Sequence, residues 1–116
     1  SLAMAYFRTG QLDLAVQELQ HILTKDADNF NALDGMGLVL LRQNKSKQVR
    51  QYLERARAVN AKDVMLHVHF SFAYEQLDQA DQAAASLKKA AELYSGSDAA
   101  AAIEKELKMI KGISAK

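Results

Sequence analysis

Three histidines, at positions 21, 67 and 69, are the residues of this chain best suited to proton transfer or ligand binding. His67 and His69 stand two apart, so on a helix they point in different directions and cannot share a metal. There is no cysteine, which excludes disulfides, thiol chemistry and thiolate metal sites. No glycine-rich phosphate loop occurs, and no carboxylate pair stands apart from ordinary helix charges. Catalysis needs a nucleophile with a base, an acid–base pair, or a metal. The chain presents none of these at a working spacing, so no catalytic residue, no metal site and no cofactor is expected. Asn44-Lys45-Ser46 matches a glycosylation acceptor, but the motif is short and is read as accidental.

Charge narrows the classes further. Over 116 residues the net charge is +1, so no bulk field draws the chain to nucleic acid or lipid. The distribution is uneven, however. Between residues 42 and 62 lie Arg42, Lys45, Lys47, Arg50, Arg55, Arg57 and Lys62 against a single acid, Glu54. A solvated helix face accounts for this stretch, with an acidic partner as the alternative. Nucleic acid ranks last, because only Tyr52 interleaves with the bases and stacking needs aromatics. No apolar run reaches the roughly 18 residues of a membrane span, so none is expected. The compartment stays open, bacterial cytoplasm and periplasm alike.

The elements that must position any site follow from an internal repeat. "LAMAYFRTGQLDLAVQELQHIL" from Leu2, "MGLVLLRQNKSKQVRQYLERAR" from Met36 and "FSFAYEQLDQADQAAASLKKAA" from Phe70 align without gaps at a spacing of 34. Leu2, Met36 and Phe70 are large; Ala3, Gly37 and Ser71 are small; Tyr6, Leu40 and Tyr74 are large again. Ala15, Val49 and Ala83 are short, and Leu19, Leu53 and Leu87 are identical. Apolar positions recur at steps of three and four, the helical period. Polar breaks at Thr9-Gly10-Gln11, Gln43-Asn44-Lys45 and Leu77-Asp78-Gln79 divide each unit. The spacing predicts helices near 2–9, 12–25, 30–43, 46–59, 64–77, 80–94 and 98–111. Two glycines interrupt the third helix, each costing about 1 kcal/mol against alanine. Gly37 belongs to the small column, where it admits the next helix closely. Gly35 has no column; it falls on the other side of the helix, where it either leaves a notch in the inner surface or, as the preferred reading, is incidental.

A 34-residue helical hairpin with these columns resembles the tetratricopeptide repeat (TPR) family over about residues 1–94. The family's tryptophan-like position is Leu33 and His67 here, and its helix-ending proline is Ala27, Ala61 and Ser95. The pentatricopeptide repeat, which binds RNA, has a slightly longer period. The resemblance implies an all-α fold, a right-handed α-solenoid of stacked antiparallel helix pairs. Residues 1–94 would form the array, with repeats at about 1–29 (partial), 30–63 and 64–96. Residues 97–116 would be a C-terminal capping helix and tail. Its stripe is Ala100, Ile103, Leu107 and Ile110, with Glu104, Lys105, Glu106, Lys108 and Lys111 in water. The first repeat lacks its opening residues, so the chain is expected to be a piece of a longer array.

The resemblance also implies where partners bind. First helices of such repeats line a concave groove. The positions carried over are Met4, Phe7, Arg8, Asp34, Leu38, Leu41, Arg42, Met65, Val68, His69 and Phe72. His67 falls at a bulky packing position and His21 on the outer face. The groove is expected to be an open apolar strip, which tends to mark a partner site, with burial of part of it by neighbouring repeats as the alternative. Some family members clamp the carboxylate of a chaperone tail in this groove. The matching residues here are Met4, Gly35, Met65 and His69, so that clamp is absent. The expected function is a non-catalytic protein-interaction module whose groove takes a peptide or amphipathic helix. Changing Leu41 and Phe72 to glutamate should then abolish capture and spare the helices. The alternative is an assembly or structural scaffold surface within a larger repeat protein, with the groove or the N-terminal end covered by the protein's own further repeats or by a second copy.

Overall fold

The computed structural model describes residues 1–112, which form seven helices and no strand. They are α1 (Leu2–Arg8), α2 (Leu12–Lys25), α3 (Phe30–Arg42), α4 (Ser46–Val59), α5 (Val64–Gln76), α6 (Ala80–Leu93) and α7 (Ala99–Lys111). No boundary departs from the sequence expectation by more than one residue. Residues 113–116 of the expected tail lie outside the described residues.

The 34-residue period is written in the backbone. Gly10, Asn44 and Asp78 are 34 apart, and all adopt the left-handed conformation, with φ of 79°, 59° and 59°. Glycine, asparagine and aspartate are the residues that enter this region at least strain. Each ends the first helix of a hairpin with the same pair of bonds. Gln11 N, Lys45 N and Gln79 N donate to Tyr6 O, Leu40 O and Tyr74 O at 2.8, 2.9 and 2.9 Å. Gly10 N, Asn44 N and Asp78 N donate to Phe7 O, Leu41 O and Glu75 O at 3.1, 3.0 and 3.1 Å. Carbonyls that a helix end would leave orphaned are thus satisfied. The joints between hairpins repeat as well. Asn29 Oδ1 accepts from Ala32 N at 2.9 Å, and Asp63 Oδ1 from Leu66 N at 3.0 Å. Both are side-chain N-caps.

Both glycines of α3 are close-packing sites. A Cβ on Gly37 would meet Leu53 Cδ2 at 2.5 Å, which is the close α3–α4 approach expected of the small column. Gly35 corrects the expectation of an incidental residue. Its Cβ would meet Leu19 Cδ2 at 3.0 Å, so it admits α2 of the preceding hairpin. One glycine serves contact within a hairpin and the other contact between hairpins. Helices α3 and α5 are buried nearly all round, α3 from Gly35 to Leu41 and α5 from Leu66 to Ser71.

The period breaks after α6. Position 94 follows Asp26 and Asn60 at the 34-residue spacing, where those side chains accept from the backbone two residues on. Tyr94 cannot make that turn. Its hydroxyl donates instead to Asp98 Oδ1 at 2.9 Å, and Gly96 is required between them, since a Cβ there would meet the Tyr94 ring at 2.7 Å. The connector also runs one residue longer, and α7 leaves along a new path. It packs against α5, α3 and α6 together, crossing the inner face of the stack rather than capping its end. The core register explains why. At the spacing that buries Met36 and Phe70, α7 carries Glu104. The stack end is therefore left open: Leu19 and Leu53 are sealed, while Leu87 is only half-buried. The molecule measures 35 × 32 × 29 Å.

Candidate functional site

Helices α3 and α5 form an inner groove that α7 fills. Helix α7 lies in it with its apolar side inward: Ile103, Leu107 and Met109 are half-buried and Ile110 is fully sealed. Ile110 joins the same cluster as Phe7, Leu38 and Leu41, with Leu107, Met109 and Phe72 packed against it. Burying such a face is the usual source of a docked helix's stability.

The expectation of an open apolar strip is therefore corrected. Phe7, Leu38, Leu41, Val68 and His69 are buried, with Leu41 and His69 each 1% exposed. Met4, Asp34, Arg42, Met65 and Phe72 are half-buried, and only Arg8 is exposed. The physical reason is that α7, amphipathic itself, supplies the apolar cover that the groove would otherwise lack. The expected division of α7 into an apolar stripe and a wetted side shifts accordingly. Ala100 is exposed, whereas Glu106 and Lys108 are half-buried. Replacing Leu41 with glutamate would place an unpaired charge in the core, so it tests folding rather than capture.

Two polar groups anchor α7. The first is His69 on α5. Its Nδ1 lies 2.6 Å from Asp34 Oδ1 of α3, and its Nε2 lies 2.6 Å from Glu106 Oε2 of α7. Burial opposes the charged ring, and a lone buried cation would lose its proton. Here the charges and hydrogen bonds of Asp34 and Glu106 together outweigh that penalty and raise the pKa from 6.5 to about 10. His69 is thus an imidazolium at neutral pH, with both N–H groups donating to carboxylates. Both ring nitrogens are taken up by carboxylates of neighbouring helices. Among the described residues no cluster of histidine and carboxylate side chains is arranged to hold a metal ion.

The second anchor is Arg42, the last residue of α3. Its Nε donates to Ile110 O at 3.0 Å and one terminal nitrogen donates to Met109 O, both carbonyls of the last turn of α7. Its other terminal nitrogen donates to Phe7 O at 2.7 Å, in the last turn of α1. The guanidinium lies 3.9 Å above the Phe7 ring. One cation therefore meets the negative ends of two helices, where the last-turn carbonyls have a lone pair to spare and the helix dipole favours positive charge. Burial lowers its pKa, yet a guanidinium stays protonated.

Arg42 also leaves the basic stretch to which the sequence assigns it. Arg50, Arg55 and Arg57 of that stretch lie over the rings of Tyr74, Tyr52 and Phe70, at 5.6, 5.7 and 4.8 Å. Arg57 also pairs with Glu54, and Arg55 donates to Ala27 O at 3.0 Å. Much of the local charge is engaged within the molecule. His67 is buried, with Nε2 2.6 Å from Ala61 O, and His21 is exposed. Beside α7 the groove keeps a cavity of about 620 Å³, lined by Met4, Arg8, Asp34, Leu38, Met65 and Met109 among others. No helix among the described residues is long and apolar enough to cross a membrane.

Glu106 is the anchoring residue that sequence reasoning misses. A signal is present: it stands three residues after Ile103 and four before Ile110, inside the apolar stripe rather than opposite it. A carboxylate drawn in beside that stripe needs a hydrogen-bonding or charged partner.

Comparison with known proteins agrees with the repeat architecture. No curated protein sequence matches the chain. A solved structure titled MamA AMB-1, from crystals in space group P212121, is similar, with a TM-score of 0.72 and 26% identity. The match covers 79% of this chain and 54% of that one, so the chain spans about half of MamA's length. The family model described as "TT21 fifth ARM repeats domain" matches residues 1–102. The chain, a stack of helical hairpins over that whole span, therefore belongs to the TT21 fifth ARM repeats domain family.

Proposed function

We propose that the chain is a non-catalytic protein-interaction module whose inner groove takes an amphipathic helix. The observation that carries this is the seat of α7. A helix with one apolar face lies across α3 and α5, fixed at two polar points. A groove built to hold its own helix has the shape and chemistry to hold another of the same kind. Within the ARM-labelled family, the unit here is a two-helix hairpin repeated every 34 residues, which is the tetratricopeptide length. Armadillo units run to about 40–47 residues. We therefore read residues 1–94 as a tetratricopeptide-type array and α7, in the 97–116 segment, as its groove helix.

Site-specific photo-crosslinking in cells tests the reading. A crosslinker at Met65 faces the groove and one at Gln51 lies on the outer helix α4. Met65 should yield a partner adduct, stronger when Ile110→Ser loosens α7, and Gln51 should yield none. Adducts from Gln51 alone would refute it.

A second reading rests on the bare end of α6. Leu87 stands where Leu19 and Leu53 are sealed, so this end can accept a further hairpin and make the chain one section of a longer scaffold. Sedimentation of the chain over a concentration series tests it, because a sticky end should associate and Leu87→Glu should prevent that.

A further inference from the structure

We propose that the groove selects helices that end inside it, and that it reads the chemistry of their last two turns. This rests on the reading of the groove as a helix-binding site. Helix α7 displays the three features that are read. Glu106 meets His69 at 2.6 Å, Ile110 four residues later is fully buried, and the carbonyls of Met109 and Ile110 meet Arg42. They lie within one turn on one face, at the i, i+3 and i+4 spacing of a helix.

The reading groups keep their aim without α7. Asp34, which belongs to the wall, holds Nδ1 of His69 at 2.6 Å and leaves Nε2 directed at the occupant. Phe7 holds Arg42 through both its carbonyl at 2.7 Å and its ring at 3.9 Å, leaving the remaining N–H groups for the occupant. Groups fixed beforehand lose little entropy on binding, which favours affinity and selectivity together. Arg42 also fixes direction, since it meets only the negative end of a helix. The occupant is accordingly a partner's amphipathic helix with a carboxylate, apolar residues three and four positions later, and its C-terminus at that point. The cavity beside α7 offers such a helix a foothold before α7 leaves.

The experiment uses the whole chain and a labelled peptide of residues 97–112 with both ends blocked, read by fluorescence anisotropy. In the wild type the resident helix competes at an effective concentration of order millimolar, so uptake is weak. Loosening the resident helix with Glu106→Gln plus Ile110→Ser should tighten peptide binding by at least tenfold. A peptide carrying Glu106→Gln should bind the loosened chain at least tenfold more weakly than the native peptide, and Arg42→Gln in the loosened chain should weaken the native peptide similarly. If the double variant loses its helical circular dichroism, Glu106→Gln alone replaces it. Equal binding of the two peptides would overturn the recognition rule and leave the groove reading standing. No binding of either peptide, with fast amide exchange showing α7 displaced, would overturn both. A wild-type dimer that Ile110→Ser abolishes would put a second copy's α7 in the seat and overturn the choice of a foreign helix.

Discussion

Raising the pH should destabilise this protein through one proton. His69 is held at a pKa of about 10 in the folded chain and returns to about 6.5 when unfolded. Between those values the folded state binds more protons than the unfolded state, so the slope of unfolding free energy against pH is negative. The stabilisation is complete below pH 6.5 and is lost as the pH rises through 10. Full loss corresponds to about 5 kcal/mol, a large part of the 5–15 kcal/mol typical of a domain. Within the window the slope approaches about 1.4 kcal/mol per pH unit. Urea unfolding from pH 6 to 10.5, with His69→Gln as comparator, isolates the effect from groups that titrate in both chains. The wild type should lose stability more steeply than the variant, and the His69 ring should show no NMR titration below pH 9. Equal slopes, or a ring that titrates near 6.5, would refute the picture of a charged His69 between Asp34 and Glu106.

Other outcomes follow from particular contacts. Gly37→Ala should destabilise by up to about 2 kcal/mol in thermal unfolding, since the clash with the sealed Leu53 outweighs the helix propensity that alanine returns. Gly35→Ala should be milder, because the contact with Leu19 is looser and alanine returns about 1 kcal/mol of helix propensity. Arg42→Met should cost about 2–4 kcal/mol by stripping charge-assisted bonds from two helix ends. Amide exchange should then quicken in α7 first. Leu41→Glu should abolish cooperative unfolding rather than spare the fold, as circular dichroism would report. Asp78→Gly should stabilise by up to about 1 kcal/mol and Asp78→Val should destabilise, because only the first suits a φ of 59°.

The array was legible because its signals are local and recur. Columns such as Leu19, Leu53 and Leu87, and the breaks at Gly10, Asn44 and Asp78, encode hairpins through nearest-neighbour packing and turn chemistry. The place of α7 was not legible in the same way. Its amphipathic face is plain in the sequence, but a stripe of apolar residues does not say which surface will cover it. That choice depends on Tyr94 replacing a turn-forming Asp26 or Asn60, and on two pairings across 37 and 68 residues, His69 with Glu106 and Arg42 with Ile110. Gly35 was misread for a similar reason. Its partner, Leu19, lies in the preceding hairpin, where a column comparison within each unit does not look.

Arg42 has a mechanical consequence. A row of hairpins ordinarily behaves like a ladder whose rungs know only their neighbours, and it unravels from either end. Here one guanidinium rivets the first helix to the last, fastening the ladder into a hoop. Stretched between its termini, such a molecule should hold its length until the rivet yields. The hairpins should then follow at lower force.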